Sequence, residues 1–179
     1  MADVFRDRLD DCYNNLMKSR AKDASAKAIP ISQKVDVPED HKFVGFDAYK
    51  KAMALADVVI LTIKPYQVDT VLAEILPVIQ NKTIASAVSG LSLDMLQEKT
   101  NYEYPVVRIM PNIAAQFGES ATCISFPEKY KENAAPIVDL FQDLGTAPVI
   151  DEKLMDAATV LGACGTAYAL RYIRASMQA

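Results

Sequence analysis

Between Val58 and Ile150 the chain alternates short apolar runs with amphipathic stretches. Val58–Ile63 is continuous and mostly β-branched, which is typical of a parallel strand buried on both faces. Further strands are predicted at Thr83–Val88, Tyr104–Met110, Ala121–Phe126 and Ala147–Ile150, and helices at Tyr66–Ile79, Ser92–Glu98 (with Ser92 as N-cap) and Glu128–Leu144. This alternation of strand and helix indicates an α/β fold built on a doubly wound sheet.

Two helices are predicted after the last strand. They cover Glu152–Leu161 and Thr166–Gln178, and Gly162–Gly165 is expected to form a loop between them. Tyr168, Arg171, Tyr172 and Arg174 recur at helical spacing on the second helix. An amphipathic helix at a subunit contact is favoured there over an anion site.

Residues 1–54 differ in composition from the rest of the chain, because they are rich in charged residues and alanine. Arg6–Arg20 predicts an amphipathic helix. Ala21–Asp40 is expected to be a loop, Lys42–Phe46 a short strand, and Asp47–Ala54 a helix with Asp47 as its N-cap. The stripe of the first helix consists of Leu9, Cys12, Tyr13, Leu16 and Met17.

The amino-acid composition of the chain argues against several classes of function. The formal net charge is −4 and 51% of the 179 residues are hydrophobic, so a globular core is expected and a nucleic-acid partner is not. No signal peptide or membrane-spanning run is evident, which predicts a cytoplasmic protein without a membrane partner. Cys12, Cys123 and Cys164 are far apart and His41 is the single histidine, so neither disulfides nor a metal site are expected.

Three predicted strands are each followed by residues suited to ligand binding. These are Lys64-Pro65-Tyr66, Ser89-Gly90-Leu91 and Met110-Pro111-Asn112. Ligands bind outside the carboxyl ends of parallel strands, so the three loops should share one rim. Lys64 brings positive charge, Gly90 permits close backbone approach, and Asn112 offers both a donor and an acceptor. Each feature alone is equally consistent with ordinary turn chemistry after a strand.

The order of several motifs resembles the pyrroline-5-carboxylate reductase family over residues 57–179. Val59–Pro65 is similar to its strand and Lys-Pro element, and Val107–Asn112 to its Arg-x-Met-Pro-Asn element, followed by Gly118-Glu119. Leu140–Thr146 with Asp151-Glu152 resembles the Leu-Phe-x-x-Leu-Gly run and the acidic start of the next helix. Gly162–Tyr168 stands where the family has Ser-Gly-Ser-Gly-Pro-Ala-Tyr.

This resemblance implies an oxidoreductase of proline biosynthesis that passes hydride from NADPH or NADH to the ring imine of pyrroline-5-carboxylate, a small imino acid. It implies cofactor contacts from Ile63, Lys64, Pro65, Ser89, Gly90, Met110, Pro111 and Asn112. It implies substrate contacts through backbone N–H groups of Gly162, Ala163, Cys164, Gly165 and Thr166. Asn112 and Thr166 would be catalytic, no metal is required, and a homo-oligomer is expected.

The chain also departs from that family. Ile113-Ala114 replaces the usual Thr-Pro, and Thr166 replaces the usual proline. The six glycines stand at 45, 90, 118, 145, 162 and 165, and no three have the Gly-x-Gly-x-x-Gly spacing of a pyrophosphate loop. The chain ends at Ala179, where the family continues with further helices of a dimerisation domain.

Residues 1–54 resemble a different family, the glucose–fructose oxidoreductase and inositol dehydrogenase group. The similarity lies in Ala2–Leu9, Val37–His41 and Phe43–Lys50, with Asp3 placed like that family's ribose-binding acid. We therefore expect a segment of different origin over 1–54, a partial dinucleotide-binding domain over 55–151, and the first helices of the dimerisation domain over 152–179.

Three functions remain open at this point: an active reductase, a catalytically inactive fusion or fragment, and a nucleotide-binding module without turnover. The missing first strand of the fold adds a structural expectation. Val58–Ile63 should not be left as an open edge, because unpaired backbone groups of an apolar strand promote association. Lys42–Phe46, the Arg6–Arg20 helix or the same strand of another chain are expected to cover it.

Overall fold

The computed structural model describes residues 2–3, 6–18 and 37–178 and divides into two compact units, Met1–Ala56 and Asp57–Ala179. In the first unit β1 (Ala2–Asp3) pairs in parallel with β2 (Phe43–Val44). Its helices are α1 (Arg6–Lys18) and α2 (Ala48–Leu55). The predicted helix at Arg6 is thus confirmed over its described residues, and the strand at Phe43 is confirmed but shorter than expected.

In the first unit, the predicted stripe of α1 and the predicted N-cap of α2 are borne out only in part. Leu9 of the predicted α1 stripe is buried, whereas the side chains of its other members and residues 21–36 lie outside the described part of the chain. Asp47 is the N-cap residue of α2, as predicted, but its side chain makes no capping hydrogen bond. Its ψ of 6° departs from the extended backbone of most N-caps, and its carboxylate pairs with Lys50 at 3.3 Å.

The second unit contains a four-stranded sheet. Its strands are β3 (Val58–Leu61), β4 (Thr83–Ser86), β5 (Val106–Met110) and, after the two-residue β6 (Ser120–Ala121), β7 (Cys123–Ser125). They lie in the order β3-β4-β5-β7; the first three are parallel and β7 is antiparallel to β5. The predicted α/β class is confirmed.

Helices cover this sheet because their apolar residues recur on one side. They are α3 (Val68–Ile75), α4 (Leu93–Lys99) and α5 (Lys131–Gln142). Ala134, Ile137 and Phe141 of α5 pack with Ala85, Val107, Ile109 and Ile124 of the sheet to form a buried core. The predicted cap of α4 is confirmed, since Ser92 Oγ accepts a hydrogen bond from the Met95 N–H at 3.2 Å.

The predicted strands Ala121–Phe126 and Ala147–Ile150 are wrong in detail. The first divides into β6 and β7, and β6 pairs in parallel with β8 (Gly145–Thr146). Residues 147–150 form no regular strand; Val149 makes an isolated bridge to Ile124. Pro148 has no N–H to donate, although its carbonyl accepts from Ile124 N at 3.0 Å, so a continuous ladder cannot form through it.

The strand β3 has one neighbouring strand, β4, among the described residues. Ile60 is 38% exposed and Val58 is half-buried, so the prediction of burial on both faces is wrong for this strand. Lys42–Phe46 does not supply the expected partner, because Phe43–Val44 pairs with Ala2–Asp3 instead. Pairing with another chain stays a prediction.

The end of the described chain is one uninterrupted helix. It begins after a 3-10 turn at Glu152–Leu154 and consists of α6 (Met155–Ala158), a π-helical stretch at Thr159–Cys164, and α7 (Gly165–Gln178). The predicted loop at Gly162–Gly165 is therefore wrong. Glycine lowers helix stability by about 1 kcal/mol but does not forbid helical backbone. No helix of the described residues could span a bilayer.

Candidate functional site

The carboxyl ends of β3, β4 and β5 lie at one edge of the sheet, because the three strands are parallel and in register. The segments that follow them, Lys64–Tyr66, Ser89–Leu91 and Met110–Asn112, therefore start from the same rim, as the sequence predicts. This arrangement gathers one exposed cation, one exposed glycine turn and one carboxamide where open α/β sheets bind ligands.

The first segment begins at Ile63, which is half-buried, and continues to the exposed Lys64 and Pro65. The backbone N–H of Lys64 donates to Gln67 Oε1 at 3.0 Å, which closes the 3-10 turn Pro65–Gln67 before α3. Proline suits the first position of such a turn since it needs no donor there. The turn leaves the Lys64 side chain exposed, where a cation can meet an anionic cofactor group.

Ser89 and Gly90 form the second segment and are both exposed. Gly90 has a φ of +74°, and a Cβ built on it would meet nothing within 4 Å. Ser86, the last residue of β4, stabilises the backbone just before this turn. Its buried Oγ accepts a hydrogen bond from the Val88 N–H at 3.2 Å. Space above a glycine backbone is what a bound cofactor requires, so this segment fits such a group.

Asn112 closes the third segment, behind the buried Met110 and the half-buried Pro111. Its Oδ1 accepts from the Ala114 N–H at 3.0 Å and so caps the 3-10 turn Ile113–Phe117. Its backbone N–H donates to Ser120 Oγ at 3.4 Å, and Ser120 Oγ lies 2.9 Å from Thr122 Oγ1. The Asn112 carboxamide oxygen therefore stabilises the turn that follows it. This agrees with the interpretation of the residue as ordinary turn chemistry after a strand.

The same carboxamide reaches the C-terminal helix. Asn112 Nδ2 donates to the Gly162 carbonyl at 3.4 Å, and Thr166 Oγ1 donates to that carbonyl at 3.1 Å. The two residues predicted to be catalytic are therefore brought together around one atom. Ala163 and Gly165 are half-buried beside them, and Cys164 is exposed.

Helical backbone changes what Gly162–Thr166 can offer to a ligand. In α- and π-helices the N–H groups bond to carbonyls four or five residues earlier, so the segment is not the open cradle of donors that a loop would provide. Substrate contact through these N–H groups stays a prediction. In this conformation the side chains of Asn112 and Thr166 both donate hydrogen bonds to the Gly162 carbonyl.

In the sequence, Arg108 is identified only as part of the Arg-x-Met-Pro-Asn element, with no role of its own. Arg108 lies within β5, and only 4% of its side chain is exposed. Its Nη1 is 2.7 Å from Glu152 Oε1, and its Nη2 is 3.0 Å from Asp156 Oδ1. A cation amid the apolar residues of a predicted buried strand was the available signal, because buried charges require partners.

Two further chemical properties of the described residues concern their thiols and their capacity to bind metal. Cys123 and Cys164 are free thiols, and burial raises the pKa of the Cys123 thiol. No group of three histidine, cysteine, aspartate or glutamate residues that could hold a metal ion occurs within residues 2–3, 6–18 and 37–178.

Known proteins resemble the chain in both sequence and structure. Pyrroline-5-carboxylate reductase 1 of Dictyostelium discoideum is 34% identical over 140 residues, which are 71% of this chain and 25% of that protein. Pyrroline-5-carboxylate reductase of Arabidopsis thaliana is 32% identical over 142 residues, 78% of this chain and 51% of that protein. No protein-family model matches the chain.

A solved structure shares the fold. The NADP-bound pyrroline carboxylate reductase of Plasmodium falciparum superimposes with a TM-score of 0.68 at 26% identity, over 75% of this chain and 51% of that one. The parallel sheet is accordingly Rossmann-like. The resemblance of residues 1–54 to the glucose–fructose oxidoreductase and inositol dehydrogenase group finds no support among these relatives.

The matched stretch is long but partial, since the chain spans between about a quarter and about half the length of these curated relatives. Within that stretch the sequence identity and the α/β fold both agree with pyrroline-5-carboxylate reductases. Over the stretch that it shares with them, the chain is a homologue of the pyrroline-5-carboxylate reductases.

Proposed function

We propose that the chain acts in the reduction of 1-pyrroline-5-carboxylate to proline, with hydride from NADPH or NADH. The observation that carries this proposal is the common rim of Lys64–Tyr66, Ser89–Leu91 and Met110–Asn112 in a homologue of the pyrroline-5-carboxylate reductases. The rim offers a cation, an open glycine turn and a carboxamide, which are the groups that a dinucleotide and a polar imine would use.

The reaction does not require a strong general base from the protein. A protonated ring imine accepts hydride at carbon, the C=N π electrons become the nitrogen lone pair, and the cofactor leaves oxidised. The protein holds the hydride donor of the cofactor in line with the imine carbon and excludes competing reactions. A site without a triad or a carboxylate dyad is sufficient for this reaction.

We assign the residues of this site by their position on the rim. Ile63, Lys64, Pro65, Ser89 and Gly90 would hold the cofactor, and Met110, Pro111 and Asn112 would face the nicotinamide. Gly162–Thr166 would meet the substrate carboxylate. Asn112 and Thr166 support this assignment because both already converge on the Gly162 carbonyl.

The direct test is oxidation of NADPH by the purified full chain at millimolar cofactor, with and without pyrroline-5-carboxylate. Imine-dependent turnover is expected, and Asn112→Ala should abolish it. Lys131→Ala, which changes an exposed cation on α5, is the matched control and should leave the rate unchanged. Equal oxidation with and without the imine would overturn the proposal.

A second candidate is a homologue without turnover. It is favoured by the sequence, in which no three glycines have the Gly-x-Gly-x-x-Gly spacing. In that case pyrroline-5-carboxylate would not accelerate NADPH oxidation, and direct titration would detect cofactor binding or its absence independently of turnover.

We also propose that the chain forms a homo-oligomer through α7. Tyr168, Leu170, Tyr172, Ile173 and Met177 of this helix are all more than half exposed, an arrangement that suits an apolar contact. Sedimentation velocity at two concentrations should show a mass above the 19.6 kDa monomer, and Ile173→Asp should reduce it. A monomer at both concentrations would contradict this.

A further inference from the structure

Arg108 joins three separate stretches of the second unit. It lies on β5, two residues before Met110, and its guanidinium contacts carboxylates of Glu152 and Asp156 at the start of the C-terminal helix. The same Glu152 Oε1 accepts from the Leu93 N–H at 3.1 Å, at the beginning of α4. One partly buried ion pair thus holds a strand and the first turns of two helices.

Each of those stretches leads directly to a predicted site segment. Asn112 follows Arg108 by four residues, Leu93 follows Gly90 by three, and the helix that begins near Glu152 carries Gly162. Movement at Arg108 would therefore reach all three segments through short, regular backbone. The hydrogen bond from Asn112 to Gly162 depends most directly on it, since its two ends lie on the two elements that Arg108 joins.

The Arg108–Glu152 ion pair has incomplete hydrogen bonding, so a contribution to stability alone does not explain it. Arg108 Nε and Glu152 Oε2 are buried without a hydrogen-bond partner among the described residues. Replacing a buried ion pair with apolar residues is often neutral or stabilising, so an incompletely satisfied pair contributes little net stability. What the pair does provide is a fixed distance and direction between β5 and the C-terminal helix.

We propose that Arg108, through Glu152, is a positioning residue that sets Asn112 against Gly162 and Thr166. Its importance for reduction rests on the proposed function, but the positioning itself does not. The contact with Glu152 is the effective one, because the Glu152 side chain is 31% exposed whereas that of Asp156 is 88% exposed. Solvent screens the second pair and weakens it.

The test compares Arg108→Met with Arg108→Lys in the full, isotope-labelled chain, under native conditions. Methionine fills the space without charge, and lysine restores one cation at a single point. In Arg108→Met the side-chain amide resonances of Asn112 should shift, and amide exchange of Leu93 should accelerate by about tenfold or more. Arg108→Lys should recover part of both effects.

A merely structural role makes a different prediction. If Arg108→Met lowers the unfolding midpoint but leaves the resonances of Asn112, Gly162 and Thr166 unchanged below it, the proposal is overturned. If Arg108→Met does not fold, Glu152→Gln replaces it, since glutamine can still accept from the Leu93 N–H but no longer carries the charge that attracts Arg108. Asn112 should then shift while Leu93 exchange stays near its original rate; unchanged Asn112 resonances would again overturn the proposal.

Asp156→Asn is the matched control and should move these resonances little. Where the full chain reduces the imine, Arg108→Met should lower kcat by a larger factor than it raises the KM for NADPH, because the Lys64–Tyr66 segment after β3 is not joined to Arg108. A chain without turnover leaves the resonance experiment intact, so failure of the reductase proposal and failure of the positioning proposal are distinguishable.

Discussion

Asn112 and Thr166 donate to the same acceptor, the carbonyl oxygen of Gly162, from Nδ2 at 3.4 Å and from Oγ1 at 3.1 Å. A carbonyl has two lone pairs, so both bonds can coexist. They differ in kind, because the Thr166 bond lies within one helix whereas the Asn112 bond joins the strand-end turn to that helix.

Asn112→Ala should lower the free energy of unfolding of the second unit by about 1 kcal/mol, because it removes both the cap of the turn Ile113–Phe117 and the bond to Gly162. Thr166→Val keeps the shape and should cost less than about 0.5 kcal/mol. Urea titration followed by resonances of residues 57–178 would measure both. Equal losses in the two variants would contradict the difference in kind.

Gly162→Ala should stabilise the second unit by about 0.5–1 kcal/mol, since alanine is the better helix former and a Cβ at this position meets nothing within 4 Å. A loop at Gly162–Gly165 would give no such gain. The same urea titration decides between these two conformations, and a loss of stability would count against the helix.

The sequence predicted most of the sheet because its signal is local. Val58, Thr83 and Tyr104 begin β-branched or apolar runs bounded by turn residues, and each run contains an observed strand. The same holds for the cap at Ser92, whose side chain needs only its own helix. Strand order and the shared rim then follow from the general rules of parallel sheets.

What the sequence missed depends on distant partners. The exposure of Ile60 follows from the position of β3 at the edge of the observed sheet, which no local pattern records. The helix through Gly162 runs against the low helix propensity of glycine, which tertiary contacts can override, and Gly162 accepts one such contact from Asn112. The role of Arg108 requires carboxylates 44 and 48 residues away.

Gly145→Ala should destabilise the second unit by about 3 kcal/mol. The backbone of Gly145 has a φ of +141°, and a Cβ would lie 2.1 Å from the Ser120 carbonyl oxygen in the paired strand β6. Gly118→Ala is the matched control, with a φ of +73° and open space, and should cost about 1 kcal/mol. Thermal unfolding of both variants measures the difference, and equal midpoints would show that β6 can move aside.

Cys164 should be alkylated by iodoacetamide about tenfold faster than Cys123 near pH 8. The thiolate is the reactive form, and burial both shields Cys123 and raises its pKa, which lowers its thiolate fraction at a given pH. Peptide mass spectrometry separates the two sites, and the rates should converge in urea. Cys123 reacting as fast as Cys164 in the folded chain would be the contrary result.

NADPH should bind the 179-residue chain weakly. A Gly-x-Gly-x-x-Gly loop supplies backbone donors to the pyrophosphate, and charge-assisted hydrogen bonds contribute roughly 1.5–3 kcal/mol each. Without two of them, affinity should fall by about two to four decades. Calorimetric titration measures this, with Lys64→Gln as a control for binding at the rim; low-micromolar affinity would refute the expectation.

The antiparallel direction of β7 has a practical consequence for labelling. The carboxyl end of β7 leads into Phe126-Pro127 and lies at the edge of the sheet opposite the rim. The strands β4 and β5 begin at that same edge, after Asn81 and Tyr102 respectively. Connections at that edge are separated from the rim by the length of the strands. A fluorophore or an affinity tag attached through the exposed Asn81 or Tyr102 should therefore report on the second unit without entering the place where ligands are proposed to bind.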